Sequence, residues 1–119
     1  MLLILLSHGG HIGLSKTIDF PSANEMRALT EESFKNKINK YLEEYTKLFI
    51  EAINNRALDG CYYYSFVPED SKWMDEAQIT ALNLLCNRFV EQGYRIEKNT
   101  TQRYNSNFFE INKITIYWN

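Results

Sequence analysis

The longest regular pattern in the chain runs from Phe34 to Ile53. Phe34, Ile38, Tyr41, Leu42, Tyr45, Leu48, Phe49, Ala52 and Ile53 recur at steps of three and four, with Lys35, Lys37, Lys40, Glu43, Glu44 and Lys47 between them. That spacing places the apolar side chains on one stripe of an α-helix over more than five turns. Two start signals precede it. Ser22 and Glu25 form a capping-box pair, in which hydroxyl and carboxylate satisfy free amides at a helix start, so a short helix is predicted from Ala23. Thr30 followed by Glu31 and Glu32 predicts a second, long helix with Thr30 as its N-cap and two acids in its first turn. The pair Asp59 and Gly60 predicts the stop, near Arg56 to Leu58.

Beyond that stop the period changes from helical to alternating. Cys61 to Val67 is aromatic and closes at Pro68, as a strand entering a loop does. Period two puts Tyr62, Tyr64 and Phe66 on one face, and Cys61, Tyr63, Ser65 and Val67 on the other. Asp75 and Gln78 repeat a cap pattern, and Ile79, Leu82, Leu85, Cys86, Phe89 and Val90 predict a second amphipathic helix ending at Gly93. Tyr94 to Lys98 alternates again, and the polar run Asn99 to Asn107 separates it from a last apolar segment, Phe108 to Trp118, as in a hairpin with a long loop. In that segment Phe109 and Ile111 have one parity, and Ile114, Ile116 and Trp118 the other. A bulge at Asn112 and Lys113 would restore a single core face; a tight turn between two short strands is the alternative.

These elements predict an α+β two-layer sandwich, two or three helices packed on one face of a three-stranded antiparallel sheet. The opposite sheet face would carry Cys61, Tyr63, Ser65, Arg95, Glu97, Thr115 and Tyr117. A partly aromatic open face of this kind is expected to meet a partner or a second subunit.

The N-terminus reads differently. Residues 1 to 6 are apolar, but the run is too short to span a bilayer and lacks the basic region and cleavage site of a signal peptide. His8 and His11 are separated by Gly9 and Gly10, which oppose the helix that would bring both onto one metal, so no metal site is expected. Adjacent glycine codons can spell a ribosome-binding sequence, and Leu14 can be encoded by an alternative start codon. The expectation is therefore that residues 1–14 are a translated leader or flexible segment and that residues 15–119 form the single α+β domain.

Composition narrows function more than it names it. The 119 residues carry 13 basic and 15 acidic side chains and are 45% hydrophobic, which fits one folded domain and excludes wholesale disorder. No basic excess advertises nucleic acid. Cys61 and Cys86 have neither a CxxC nor a zinc spacing and read as reduced core or sheet residues. The acid pairs Glu31 and Glu32, Glu43 and Glu44, and Glu69 and Asp70 read as caps, solvated helix faces and loop charges. No phosphate-binding glycine loop or nucleophile arrangement is present, so neither a cofactor nor catalytic residues are assigned. The unusual figure is eight Tyr, seven Phe and two Trp. Arg103 and Tyr104, with Trp73 and Tyr63, form a candidate stacking and charge-assisted site for a small nucleotide. The candidate ligand or partner surface is therefore Tyr63, Trp73, Arg95, Arg103, Tyr104 and Tyr117.

From Ala23 to Thr30 the wording resembles a group of small phage and prophage proteins from low-G+C bacteria. In that group a short helix precedes a long amphipathic one. The resemblance continues through Ala57 to Gly60, Tyr62 to Phe66, the Gly93–Tyr94 pair and the closing Ile116, Tyr117 and Trp118, and covers roughly residues 15–119. It implies a phage-encoded binding protein without enzymatic activity, acting in the host cytoplasm on a host protein or on itself as a homo-oligomer through the exposed sheet face. An inhibitor of host defence, such as an anti-CRISPR protein or a signalling-nucleotide sponge, is the leading form. A virion component in symmetric assemblies is the alternative, followed by a nucleic-acid-binding or nucleotide-processing protein. No membrane role is expected.

Overall fold

The computed structural model describes residues 19–69, 74–102 and 109–119. It contains α1 (Ala23–Leu58), β1 (Tyr63–Phe66), α2 (Glu76–Glu91), β2 (Arg95–Gln102) and β3 (Phe109–Tyr117). By backbone proximity the chain divides between Glu32 and Ser33. In the first unit the described residues, 19–32, are all exposed. The expected leader, residues 1–14, lies outside the described residues.

The capping box at the start of α1 is formed. Ser22 N donates to Glu25 Oε1 at 2.7 Å and Glu25 N donates to Ser22 Oγ at 3.0 Å. The second start at Thr30 is not used, and α1 is one continuous helix. No Gly or Pro interrupts the segment, and a lone Thr costs only a few tenths of a kcal/mol in a helix interior, roughly. A cap signal therefore has no break to act on. Both helices stop in the same way. Gly60 and Gly93 take positive φ of 84° and 95°. Cys61 N donates to Arg56 O and Gly60 N to Ala57 O, and Tyr94 N donates to Phe89 O and Gly93 N to Val90 O. This double bond pattern is the Schellman end, which glycine admits without steric penalty. At the second one the flanking rings of Phe89 and Tyr94 meet edge-on at 5.1 Å, closing the apolar contact that accompanies the motif.

The sheet order is β1-β3-β2, with both outer strands antiparallel to β3. β3 thus lies between two strands that α2 joins. The bulge anticipated near Asn112 is present: Lys113 pairs with Asn99 and Ile111 with Thr100, so Asn112 is the extra residue. Its amide nitrogen donates to Asn99 Oδ1 at 3.1 Å and Thr101 Oγ1 at 2.8 Å, which pins it across the hairpin. The one-residue shift brings Ile111, Ile114 and Ile116 into the same core, each no more than 1% exposed.

Two helices cover one face of this sheet, as the pattern predicts. Phe49 of α1, fully buried, is ringed by Tyr45, Tyr64, Phe66 and Phe89 at centroid distances of 4.9 to 6.3 Å. Ile79, Leu82, Leu85 and Cys86 of α2 complete the core with the three isoleucines of β3. Several expected core positions stand outside it. Leu48, Phe34, Val90 and Phe109 are exposed, Leu48 by 45%. On α1 the buried line runs through Phe49 and Ile53, and Leu48 is rotated about 100° from Phe49, off that line. β1 is also shorter than the predicted Cys61 to Val67, because Val67 precedes a proline and pairs with nothing in the ladder. Cys61 and Cys86 are both free thiols. Burial pushes the Cys86 thiol above its usual pKa, while the Lys98 cation works the other way.

Candidate functional site

The face of the sheet turned away from the helices is built by strand register. Tyr63, Tyr117 and Arg95 stand opposite one another in one row across β1, β3 and β2, and Ser65, Thr115 and Glu97 in the next. Period two then gives these six side chains the same side, opposite to Tyr64, Ile116 and Ile96. Three of the six predicted site residues, Tyr63, Arg95 and Tyr117, are therefore brought together. Trp73, Arg103 and Tyr104 lie outside the described residues, and with them the nucleotide arrangement they suggested.

The row is a ladder of cations on rings. The Tyr63 and Tyr117 rings lie 6.2 Å apart. The Arg95 guanidinium carbon sits 4.0 Å from the Tyr117 centroid, and that of Arg56 sits 4.8 Å from the Tyr63 centroid. Each contact is worth about 0.5–1 kcal/mol at an exposed site. Arg56 Nε also donates to the carbonyl oxygen of Tyr63 at 3.1 Å. Because Tyr62 O accepts from Trp118 N on the ladder side, the Tyr63 carbonyl faces the free edge of β1, which Arg56 thereby covers.

Glu97 ties the other end. One carboxylate oxygen accepts from Tyr117 Oη at 2.9 Å, and the other lies 3.7 Å from Arg95 Nη1. The hydrogen bond to this carboxylate, with some desolvation, raises the Tyr117 pKa above its usual value; Arg95 opposes that shift. Ser65 and Thr115 hydroxyls meet at 3.0 Å in the middle of the second row. Thr115 is buried although it lies on the open face. Tyr63 remains 45% exposed and Arg95 is exposed. The surface therefore offers one exposed phenol ring, two guanidinium groups and a clamped tyrosine on a rigid strand base.

Arg56 is the member that sequence reasoning missed. It sits in the last turn of α1, where a basic residue reads as a helix-dipole partner. Only the turn through Gly60, which brings the helix end back beside β1, turns it into a neighbour of Tyr63. Among the described residues no group of three His, Cys, Asp or Glu side chains is placed to hold a metal ion, and no helix is long and apolar enough to cross a membrane. No protein-family model matches the chain, and no curated protein or solved structure is similar to it.

Proposed function

We propose that this chain is a phage-encoded, non-enzymatic binding protein that covers a surface on a host protein with the open face of its sheet, as an inhibitor of host defence acting in the host cytoplasm. The supporting observation is the Arg56–Tyr63–Tyr117–Arg95 ladder, four side chains in one row fixed by Glu97 and by the Tyr63 carbonyl. Tyrosine and arginine are the residues that concentrate binding energy at protein interfaces, and a pre-ordered row loses little side-chain entropy on contact. The phage setting rests on the resemblance of residues 23–30 and of the later segments. Three cationic side chains on this face, Arg56, Arg95 and Lys113, fit a protein partner better than a nucleic acid, which would need a longer basic track for its phosphates.

A photo-crosslinking residue at Lys113, on this face, is compared in infected cells with one at Arg88, exposed on α2. The expected result is an adduct with one host protein from position 113 only, lost when Tyr63 is changed to Ala in a chain that keeps its circular dichroism. Adducts from both positions, with a major virion protein, or with a second copy alone would overturn the reading. So would full retention of the adduct after Tyr63→Ala.

A further inference from the structure

A cleft of about 670 Å³ lies away from the open sheet face, at the end of the core where α1, β1 and the start of α2 converge. It is bounded by Tyr45, Phe66, Pro68, Glu69, Met74 and Gln78. That volume falls within the range of small-molecule sites. Its apolar wall is firm: Met74 is only 4% exposed, and the Tyr45 and Phe66 rings meet edge-on at 5.7 Å.

The polar groups of the cleft have a defined direction. Gln78 is the third residue of the α2 capping box, and its Oε1 accepts from Asp75 N at 2.9 Å. That bond fixes which end of the amide is oxygen and leaves Nε2 to donate to Tyr45 Oη at 3.2 Å. The Tyr45 oxygen is thus an acceptor toward Gln78, and its own O–H is aimed elsewhere. Gln78 has a second amide hydrogen to give. The cleft therefore offers two adjacent donors to a ligand acceptor, with the Glu69 carboxylate as an acceptor on its rim. Beside the capping box, Lys37 Nζ lies 3.8 Å from Asp75 Oδ2.

We infer that this cleft is a binding site for an uncharged planar aromatic molecule bearing a carbonyl beside an N–H, as in an aromatic carboxamide. The ring lies against Phe66 and Met74. The carbonyl accepts from Tyr45 and Gln78, and the ligand N–H donates to Glu69. A carboxylate or phosphate would meet the Glu69 carboxylate on the rim, which favours an uncharged ligand over an anion.

Benzamide is the probe, with benzoate and toluene as controls, and binding is read by ligand-observed NMR on the full chain. Two variants remove donors and keep the packing. Tyr45→Phe deletes the hydroxyl. Gln78→Glu retains the capping box, but its carboxylate accepts a hydrogen bond from Tyr45 Oη and so withdraws both donors from the ligand. Wild type is expected to bind benzamide at millimolar concentration and benzoate and toluene at least tenfold more weakly, with each variant losing roughly tenfold for benzamide. Circular dichroism and melting temperature report whether each variant is folded. No benzamide binding to wild type, equal binding of benzoate or toluene, or unchanged affinity in both folded variants would overturn the inference.

Discussion

The two faces of one sheet are built on different physics, and β3 displays both in consecutive residues. Ile114 and Ile116 point into the core and are fully buried, and Thr115 between them points to the open face. On the inner side, affinity between layers is non-directional: aliphatic and aromatic surface is removed from water, at roughly 25 cal/mol per Å². The open side is held by directed contacts, each with a named partner: Ser65 to Thr115, Tyr117 to Glu97, and Arg95 and Arg56 over rings. The first kind of face fixes the fold. The second leaves groups that are ordered yet reachable.

That contrast is broken most severely from the inside. Ile116→Ala is expected to lower stability by about 2–5 kcal/mol, and Phe49→Ala by about 3–5 kcal/mol, because each leaves a cavity among residues that cannot collapse onto it. Chemical denaturation gives both values. Thr115→Ala, one residue from Ile116, should cost only about 1 kcal/mol, the size of a single hydrogen bond. Equal losses at positions 115 and 116 would mean that the two faces are not distinct in energy.

A second test acts on the bulge that keeps the inner face continuous. Deleting Asn112 leaves Lys113 opposite Asn99 and Ile111 opposite Thr100 in a regular ladder, so Ile111, only 1% exposed, keeps the inner face. The expected loss is about 1 kcal/mol, that of the two Asn112 hydrogen bonds. Asn112→Ala keeps the residue count and loses only its bonds to Asn99 and Thr101, for about 1 kcal/mol. A deletion clearly worse than the substitution would show that the bend at the bulge, and not only the bonds of Asn112, shapes the inner face.

The inner face was largely legible in the sequence, for reasons that lie in its physics. Hydrophobic periodicity reports burial, so Leu82, Leu85 and Cys86 of α2, and the isoleucines of β3 once a bulge was allowed, are where the pattern puts them. Glycine with a following helix stop reports positive φ, and both Gly60 and Gly93 behave accordingly. Where the period was read too broadly it failed. Leu48 continues the three-and-four spacing of α1, but the aromatic cluster around Phe49 takes the central line and leaves Leu48 at the margin. Leu48→Ala is accordingly expected to cost under about 1 kcal/mol, against about 2–5 kcal/mol for Leu85→Ala. The open face was legible only as a parity. That Tyr63, Tyr117 and Arg95 share a side follows from strand alternation. Their order in one row needs the β1-β3-β2 pairing, and the part played by Arg56 needs the helix end returned beside β1. Neither is a local property of the sequence.

The smallest effect tests whether the open face is really a directed network. Tyr117 donates to Glu97, which favours the neutral phenol and raises its pKa above the usual 10.0. A group raised in the folded state stabilises it below the unfolded pKa, and loses that contribution as pH climbs through the folded value. Any help Tyr117 gives the fold is therefore present at neutral pH and fades only in strong alkali. In Glu97→Gln the acceptor is uncharged, so Tyr117 should titrate closer to its ordinary value, while Tyr64, raised by burial on the inner face, should not move. NMR of ring-labelled tyrosine separates the two. If both shift together, Glu97 acts through the fold and not through the bond; if neither shifts, the carboxylate does not hold Tyr117 in solution and the row is free to rearrange around a partner.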